Sequence, residues 1–400
     1  MPQTRTRRPY RAGGLVAVVI AAVLSATAPP AHAAPEGRTA GAGAPGAVDG
    51  SYLVTLEGGT VASSAAGRDV AETYAAKISH TYRAALNGYA VRADPARARR
   101  LAADPRVVSV VQDTAVRLDH RQRNPPSWGL DRIDQPARPL DHRYASPDSG
   151  GAGVTVYVID TGIRVTHRDF GGRAGDGWDF VDGDRTAGDG NGHGTHVAGT
   201  IAGRTYGVAK KARVVAVRVL DDAGVGTTAQ VIAGIDWVTS HARKPAVANL
   251  SLGGPANAQL DAAVRNSIAS GVTYAVAAGN DGLSASLYSP ARVGEALTVG
   301  ATGRNDARAG FSNFGPRVDL FAPGVSITSA SHTGDTAEAT LSGTSMATPH
   351  VTGAAALYLA GHPGASPARV GKALVERASR GKVTGEGPGS PDRLLRTSRP

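Results

Sequence analysis

Residues 153–160, GVTVYVID, decide how the rest of the chain is read. The run is rich in β-branched residues, carries no charge until its last position, and does not alternate between polar and apolar. That is the texture of a strand covered on both faces, as in a parallel sheet. Four later runs share it: RVVAVRVL (213–220), AVANLSL (246–252), GVTYAVAA (271–278) and ALTVGA (296–301). Between and after them lie helical patterns at 193–203, 226–242 (with Val231, Ile235 and Val238 in phase), 257–270, 344–360 and 366–378. Strand and helix alternating in this way predict an α/β fold, a doubly wound parallel sheet, in one domain over 121–400. Sites in such sheets lie beyond the carboxyl ends of the strands. Asp160 stands at one such end, and Asn280 closely follows another.

The bulk properties narrow the class. The 400 residues include no cysteine, which excludes disulfides and thiolate chemistry. The net charge of +10 is shared evenly, with 14 Lys/Arg against 9 Asp/Glu in 1–120 and 29 against 24 beyond. With aromatics at 5% and no basic block, the charge reads as solubility and no nucleic-acid partner is expected. RTRRPYR (5–11), an apolar run at 12–28 and Ala31-His32-Ala33 form a basic segment, a short hydrophobic stretch and a cleavage signature. Residues 1–33 are therefore expected to be a secretory signal peptide, and the mature protein to be extracellular, monomeric and free of the membrane. Arg7-Arg8 leaves the Sec and twin-arginine routes both open.

Residues 34–47 are Ala/Gly/Pro-rich and predict a flexible linker. Over 48–120 the pattern is strand (SYLVTLE, 51–57), helix (69–86, with Val70, Tyr74, Ile78 and Tyr82 at four-residue spacing), strand (NGYAVRA, 87–93), helix (Asp94 as cap, Pro95 at its first position) and strand (106–116). This order suits a small α+β domain of the split-βαβ, ferredoxin-like kind.

An aspartate at a strand end fits an aspartic-protease dyad or a triad. A second such motif, Asp148-Ser149-Gly150, sits too close upstream for two lobes and has no strand before it. In GNGHGTHVAGTIAG (190–203), His193 and His196 are three apart, but the glutamate of a zinc-protease helix is missing. The glycines there suit a helix start packed against another backbone, with His193 exposed as a general base and His196 structural. In SGTSMATPHVTGAAALYLA (342–360), Gly343 permits a sharp turn, Ser345 opens a helix, and Pro349 is expected in that helix's first turn. A serine at a helix mouth has a free N–H and the positive helix end behind it, both favourable to an oxyanion.

Asp160, His193 and Ser345 supply each group a serine hydrolase needs, in the chain order Asp, His, Ser. With DTG, HGTHVAG and GTSMATPHV, residues 121–400 resemble the subtilisin-like serine proteases (peptidase S8). WGLDRI, SLGG, VAAGN, FSNFGP and GSPDRLL are most similar to the proteinase K branch. The resemblance implies a serine endopeptidase with Ser345 as nucleophile, His193 as base, Asp160 as orienting acid and Asn280 in the oxyanion hole. It implies that Gly224, Val225, Gly226, Ser251, Leu252 and Gly253 pair with an extended protein or peptide substrate. Ala277, Ala278 and Gly279 would wall the main side-chain pocket, and with no acid among these segments apolar or aromatic side chains are expected there. It implies a structural calcium at Asp319 with the carbonyls of Gly294 and Ala296. The 48–120 domain resembles the inhibitor I9-type propeptides, so the chain is expected to be a self-processing zymogen, inhibited by its own propeptide and cut between Leu118 and Asn124, near His120-Arg121. A binding module that has lost catalysis and a dedicated processing protease are the alternatives.

Overall fold

The computed structural model describes residues 36–43, 47–82, 87–114 and 121–397. The signal expected at 1–33, part of the linker, and His120 of the expected cleavage point lie outside them. The chain divides into two compact units, 1–118 and 119–400.

In the first unit, strands Ala47–Leu56, Lys77–Tyr82, Gly88–Arg92 and Val107–Thr114 form one antiparallel sheet. Its order is 77–82, 88–92, 47–56, 107–114. Helices Ala65–Thr73 and Pro95–Leu101 complete a βαββαβ unit, the ferredoxin-like arrangement. The second helix starts as expected, with Asp94 accepting from Arg97 N and Pro95 in its first turn. The first helix corrects the sequence expectation of 69–86: Ser64 caps it earlier, it ends at Thr73, and 77–82 is a strand. Ala75, at φ 51°, turns the chain out of the helix. The four-residue spacing reported burial rather than helix, because Val70, Tyr74 and Ile78 all reach the same core from two different elements.

The second unit is built on a nine-stranded sheet. Seven parallel strands run in the order Leu320–Pro323, Leu297–Thr302, Thr273–Ala277, Ala246–Leu250, Thr155–Asp160, Arg213–Arg218, Ala174–Asp179. Short strands Arg393–Leu394 and Ser379–Arg380 extend it beyond Leu320–Pro323, the last pair antiparallel. Each apolar run read from the sequence is one of these strands. Two were not foreseen: Ala174–Asp179 is a polar edge strand (AGDGWD) with one neighbour, and Leu320–Pro323 is short. Helices His193–Ala202, Thr344–Gly361 and Pro367–Arg377 contribute to the core on one side of the sheet, and Thr228–His241 and Ala258–Ala269 to the core on the other.

From Thr155–Asp160 the chain first adds strands on one side, then crosses to Ala246–Leu250 on the other. The direction of winding therefore reverses between these two central strands. A crevice opens beyond their carboxyl ends, where Asp160 and the segment after Leu250 lie.

Candidate active site

Asp160 is fully buried, and its Oδ1 accepts from Thr161 N at 2.8 Å and lies 2.7 Å from His193 Nδ1. The two segments meet closely because glycines face each other: a methyl at Gly194 would overlap the carbonyl oxygen of Gly162. Thr161 Oγ1 accepts from Gly194 N at 2.9 Å and donates to Asp189 Oδ1 at 2.9 Å. Asp189 in turn accepts from the backbone of Asn191, Gly192 and Thr195 at 2.8 to 3.0 Å. Thus one carboxylate gathers the N-terminal turn of the histidine helix and ties it to the Asp160 loop. Nothing in the periodicity marked it; the only available signal was an acid just before a helix start.

With Nδ1 engaged, Nε2 is the nitrogen His193 offers to the crevice; its side chain is 26% exposed. Burial acts to lower its pKa, but the charge and hydrogen bond of Asp160, aided by Asp189, outweigh that and hold it above the ordinary 6.5. His196, one turn on, is fully buried with Nε2 2.9 Å from Ile327 O, and burial pushes its pKa down to about 4. It is a core residue. The Asp148 motif lies in a turn before the Thr155–Asp160 strand, at the opposite end of that strand from the crevice.

Ser345 is the second residue of helix Thr344–Gly361, so its N–H belongs to the first turn, which has no intrahelical acceptor. Its hydroxyl donates to Ser251 O at 3.0 Å. Pro349 falls in the second turn, not the first as expected. A proline there removes the N–H that would reach Ser345 O, and Ser251 Oγ donates to that oxygen instead, at 2.9 Å. Asn280 Oδ1 accepts from Thr344 N at 2.8 Å and Thr344 Oγ1 at 2.9 Å. A backbone N–H can only donate, so the amide orientation is fixed and Nδ2 remains the free donor beside Gly343 and the helix mouth.

Next to Ser345 and Asn280 is a cavity of about 410 Å³ lined by Leu252, Gly253, Ala277, Ala278 and Gly279. It is also lined by Asp281 and Tyr288, which the sequence reading did not include. The expectation of a wall without an acid is thereby corrected: Asp281 follows Asn280 directly and reaches the same space. Desolvation and the neighbouring Asp281 hold the Tyr288 phenol above its ordinary pKa. Ser251 does not line this cavity but sits behind it, 3% exposed. Gly224, Val225 and Gly226 lie apart from it on a loop, where Val225 is 64% exposed.

Of the expected metal ligands, Asp319 keeps Oδ2 on Thr298 N at 2.8 Å, and burial pushes its pKa up to about 6 in spite of Arg393 and Arg317. A half-buried carboxylate with incomplete charge compensation is hard-oxygen chemistry that suits calcium. Arg317 Nη1 stands 2.9 Å from where a Cβ on Gly294 would be, so an exposed guanidinium borders the expected site. Among the described residues, the acidic group close enough to share an ion is Asp131, Asp134 and Asp141, with ligand atoms within 4.8 Å of one another. No helix among the described residues is long and apolar enough to cross a membrane.

Comparison with known proteins identifies the family. Residues 151–394 match the subtilase family, and 51–119 match the peptidase inhibitor I9 family. An extracellular serine proteinase of a Thermus species is 49% identical over 96% of this chain and 99% of its own. A cuticle-degrading serine protease of Arthrobotrys oligospora is 40% identical over 95% and 98%. The crystal structure of a cold adapted subtilisin-like serine proteinase, at 52% identity, covers 68% of this chain and 97% of its own with a TM-score of 0.66. The chain belongs to the subtilase family and is a subtilisin-like serine protease with an inhibitor I9 domain ahead of its protease domain.

Proposed function

We propose that Ser345, His193 and Asp160 are the catalytic triad of a secreted endopeptidase and that Asn280 completes its oxyanion hole. The observation that carries this reading is the 2.7 Å contact of His193 Nδ1 with a fully buried Asp160 at the end of one central strand, while Ser345, at a helix N-terminus, rests on Ser251 just past the end of the neighbouring strand. The Ser345 hydroxyl exchanges Ser251 O for His193 Nε2, gives its proton to that nitrogen, and its Oγ attacks the scissile carbonyl. The carbonyl oxygen gains negative charge and is met by Ser345 N–H and Asn280 Nδ2. His193 then returns the proton to the leaving amine, giving the acyl-enzyme, and the same groups direct water at the ester. Asp160 stays ionised throughout and stabilises the imidazolium. Loss of the Asn280 donor costs about 10²- to 10³-fold in kcat, the loss already known for such a donor in this family.

An extended substrate is held by backbone pairing to 224–226 and 251–253, which reads little sequence. Its side chain before the scissile bond enters the Ala277–Gly279 cavity, where apolar and aromatic groups fit the walls and Asp281 at the same cavity accepts basic ones. The I9 domain inhibits until it is cut away. The strand Arg121–Arg123 pairs with Arg143–Ala145 inside the protease unit, and this supports a cut ahead of Arg121. Asp319 with Gly294 and Ala296, and the Asp131 group, would hold calcium as a structural ion; a lowered Tm on chelation tests this. Fluorophosphonate labelling with casein digestion tests the whole: labelling at Ser345 with broad digestion is expected, and a folded, processed protein that does not react would favour a binding module.

A further inference from the structure

An asparagine in the middle of a fully buried parallel strand needs an explanation, and Asn249 stands in one. Its side chain is the centre of a directional chain of hydrogen bonds. Thr352 Oγ1 donates to Asn249 Oδ1 at 2.8 Å, Asn249 Nδ2 donates to Ser251 Oγ at 2.9 Å, and Ser251 Oγ donates to Ser345 O at 2.9 Å. Thr352 and Asn249 are fully buried and Ser251 nearly so. The direction is forced from its far end. A carbonyl can only accept, so the single Ser251 proton is committed to Ser345 O, and the Ser251 lone pair must be met by a donor. Asn249 is that donor, which turns its amide oxygen toward Thr352 Oγ1, a hydroxyl that also has Thr348 O within reach at 3.2 Å.

We propose that Asn249 is a positioning residue: by orienting the Ser251 hydroxyl it holds the carbonyl that Pro349 leaves without an intrahelical donor, and so fixes the backbone of Ser345. This rests on Ser345 being the nucleophile. The same Ser251 receives the Ser345 hydroxyl on its own carbonyl at 3.0 Å, so the two residues are clasped at two points. Release of one point lets the first turn of the helix shift. The Ser345 N–H and Oγ both ride on that turn, so the loss is felt in the transition state rather than in substrate binding.

Asn249→Asp separates this role from mere core filling. An ionised carboxylate accepts only, draws the Ser251 proton to itself by a charge-assisted bond, and leaves Ser345 O unmet. When protonated, the same side chain can donate again and the chain is restored. Burial raises the pKa of such a carboxyl, so the switch falls at a pH where activity is measurable. Pro349→Ala supplies the missing N–H to Ser345 O and makes the relay dispensable.

The experiment is kcat and KM for a peptide p-nitroanilide from pH 6 to 10, on processed enzyme titrated with fluorophosphonate, for Asn249→Asp and Ser251→Ala, each alone and each combined with Pro349→Ala. At pH 9, with Pro349 in place, both should lose about tenfold in kcat with KM nearly unchanged, the worth of one oriented hydrogen bond. Asn249→Asp alone should regain kcat as the pH falls. In the Pro349→Ala background both losses should shrink to about twofold or less. Equal losses in the two backgrounds, or parental kcat and pH profile in Asn249→Asp, overturn the proposal while the labelled parent keeps the triad reading intact. A parent that is not labelled at Ser345 overturns both. If Asn249→Asp does not fold, Asn249→Ala in the two backgrounds takes its place: a kcat loss that shrinks with Pro349→Ala supports the relay, and equal losses in both overturn it.

Discussion

Asp160 accepts from Thr161 N and, through the same oxygen, holds His193. An asparagine there presents an amide that no longer compels the proton onto Nδ1, and the base loses both its tautomer and its counter-charge. Asp160→Asn should fold and still be labelled at Ser345, but with kcat lowered by about 10⁴-fold, the size of effect such a substitution has in another serine protease triad. The sign of the pH effect follows from His193, whose pKa is held above 6.5 by that carboxylate. Without it the acid limb of kcat/KM moves to lower pH; full activity or an unmoved limb would contradict the orienting role. Asp281 invites a second test. It lines the substrate cavity but is exposed, where a charge pair is weak. Asp281→Asn should lower kcat/KM after Lys by about fivefold and leave cleavage after Phe unchanged. Equal effects on both peptides would remove Asp281 from specificity.

Among the secondary-structure elements, burial on both faces made the central strands legible in the sequence, because a parallel strand covered by helices carries no polar alternation. The same rule hid Ala174–Asp179, which has a neighbour on one side only and is written in glycine and aspartate. Asp160, His193 and Ser345 were legible as residue types at strand ends and helix starts. Thr344 and Asn249 were not, since they are joined to Asn280 and Thr352 by polar contacts between segments distant in sequence, and such contacts leave no period; Asp189 and Asp281 sit in loops, where no period exists to mark them. Two helices also carry a hidden pH dependence. His196 and His350 are fully buried in the helices of His193 and Ser345, and burial pushes each pKa down to about 4. Between that value and 6.5 the unfolded chain binds more protons than the folded one, so stability is full above pH 6.5 and falls as the pH drops towards 4. The loss is on the order of 3 kcal/mol per histidine. Asp319, raised to about 6, works in the opposite sense over a similar window but is a single group. Urea midpoints for Ser345→Ala, which cannot digest itself, should therefore decrease from pH 8 to pH 5. A flat profile would mean that these histidines do not govern acid stability.

Across the whole molecule, a small antiparallel unit precedes a large parallel one. The first has a core of about a dozen buried apolar residues, typical of domains that are marginal alone. The second must close long-range parallel contacts before they stabilise it, which makes folding slow and a preceding template useful. From Arg121 onward the chain is tied into the protease unit: the Arg121–Arg123 strand is paired within it, and Gln122 Nε2 donates to Thr205 O at 2.9 Å. Among the described residues, severing the chain just ahead of Arg121 therefore breaks no ladder in the protease unit. If Ser345 makes that cut, Ser345→Ala should accumulate as a precursor that still carries the I9 domain, while the parent yields a product beginning between Leu118 and Asn124. Intact mass and N-terminal sequence of the two secreted forms decide it. Adding a trace of parent enzyme to the Ser345→Ala precursor then shows whether the cut is also made between molecules. Normal trimming of Ser345→Ala expressed by itself would assign maturation to another protease and leave the I9 domain with inhibition as its sole tie to Ser345.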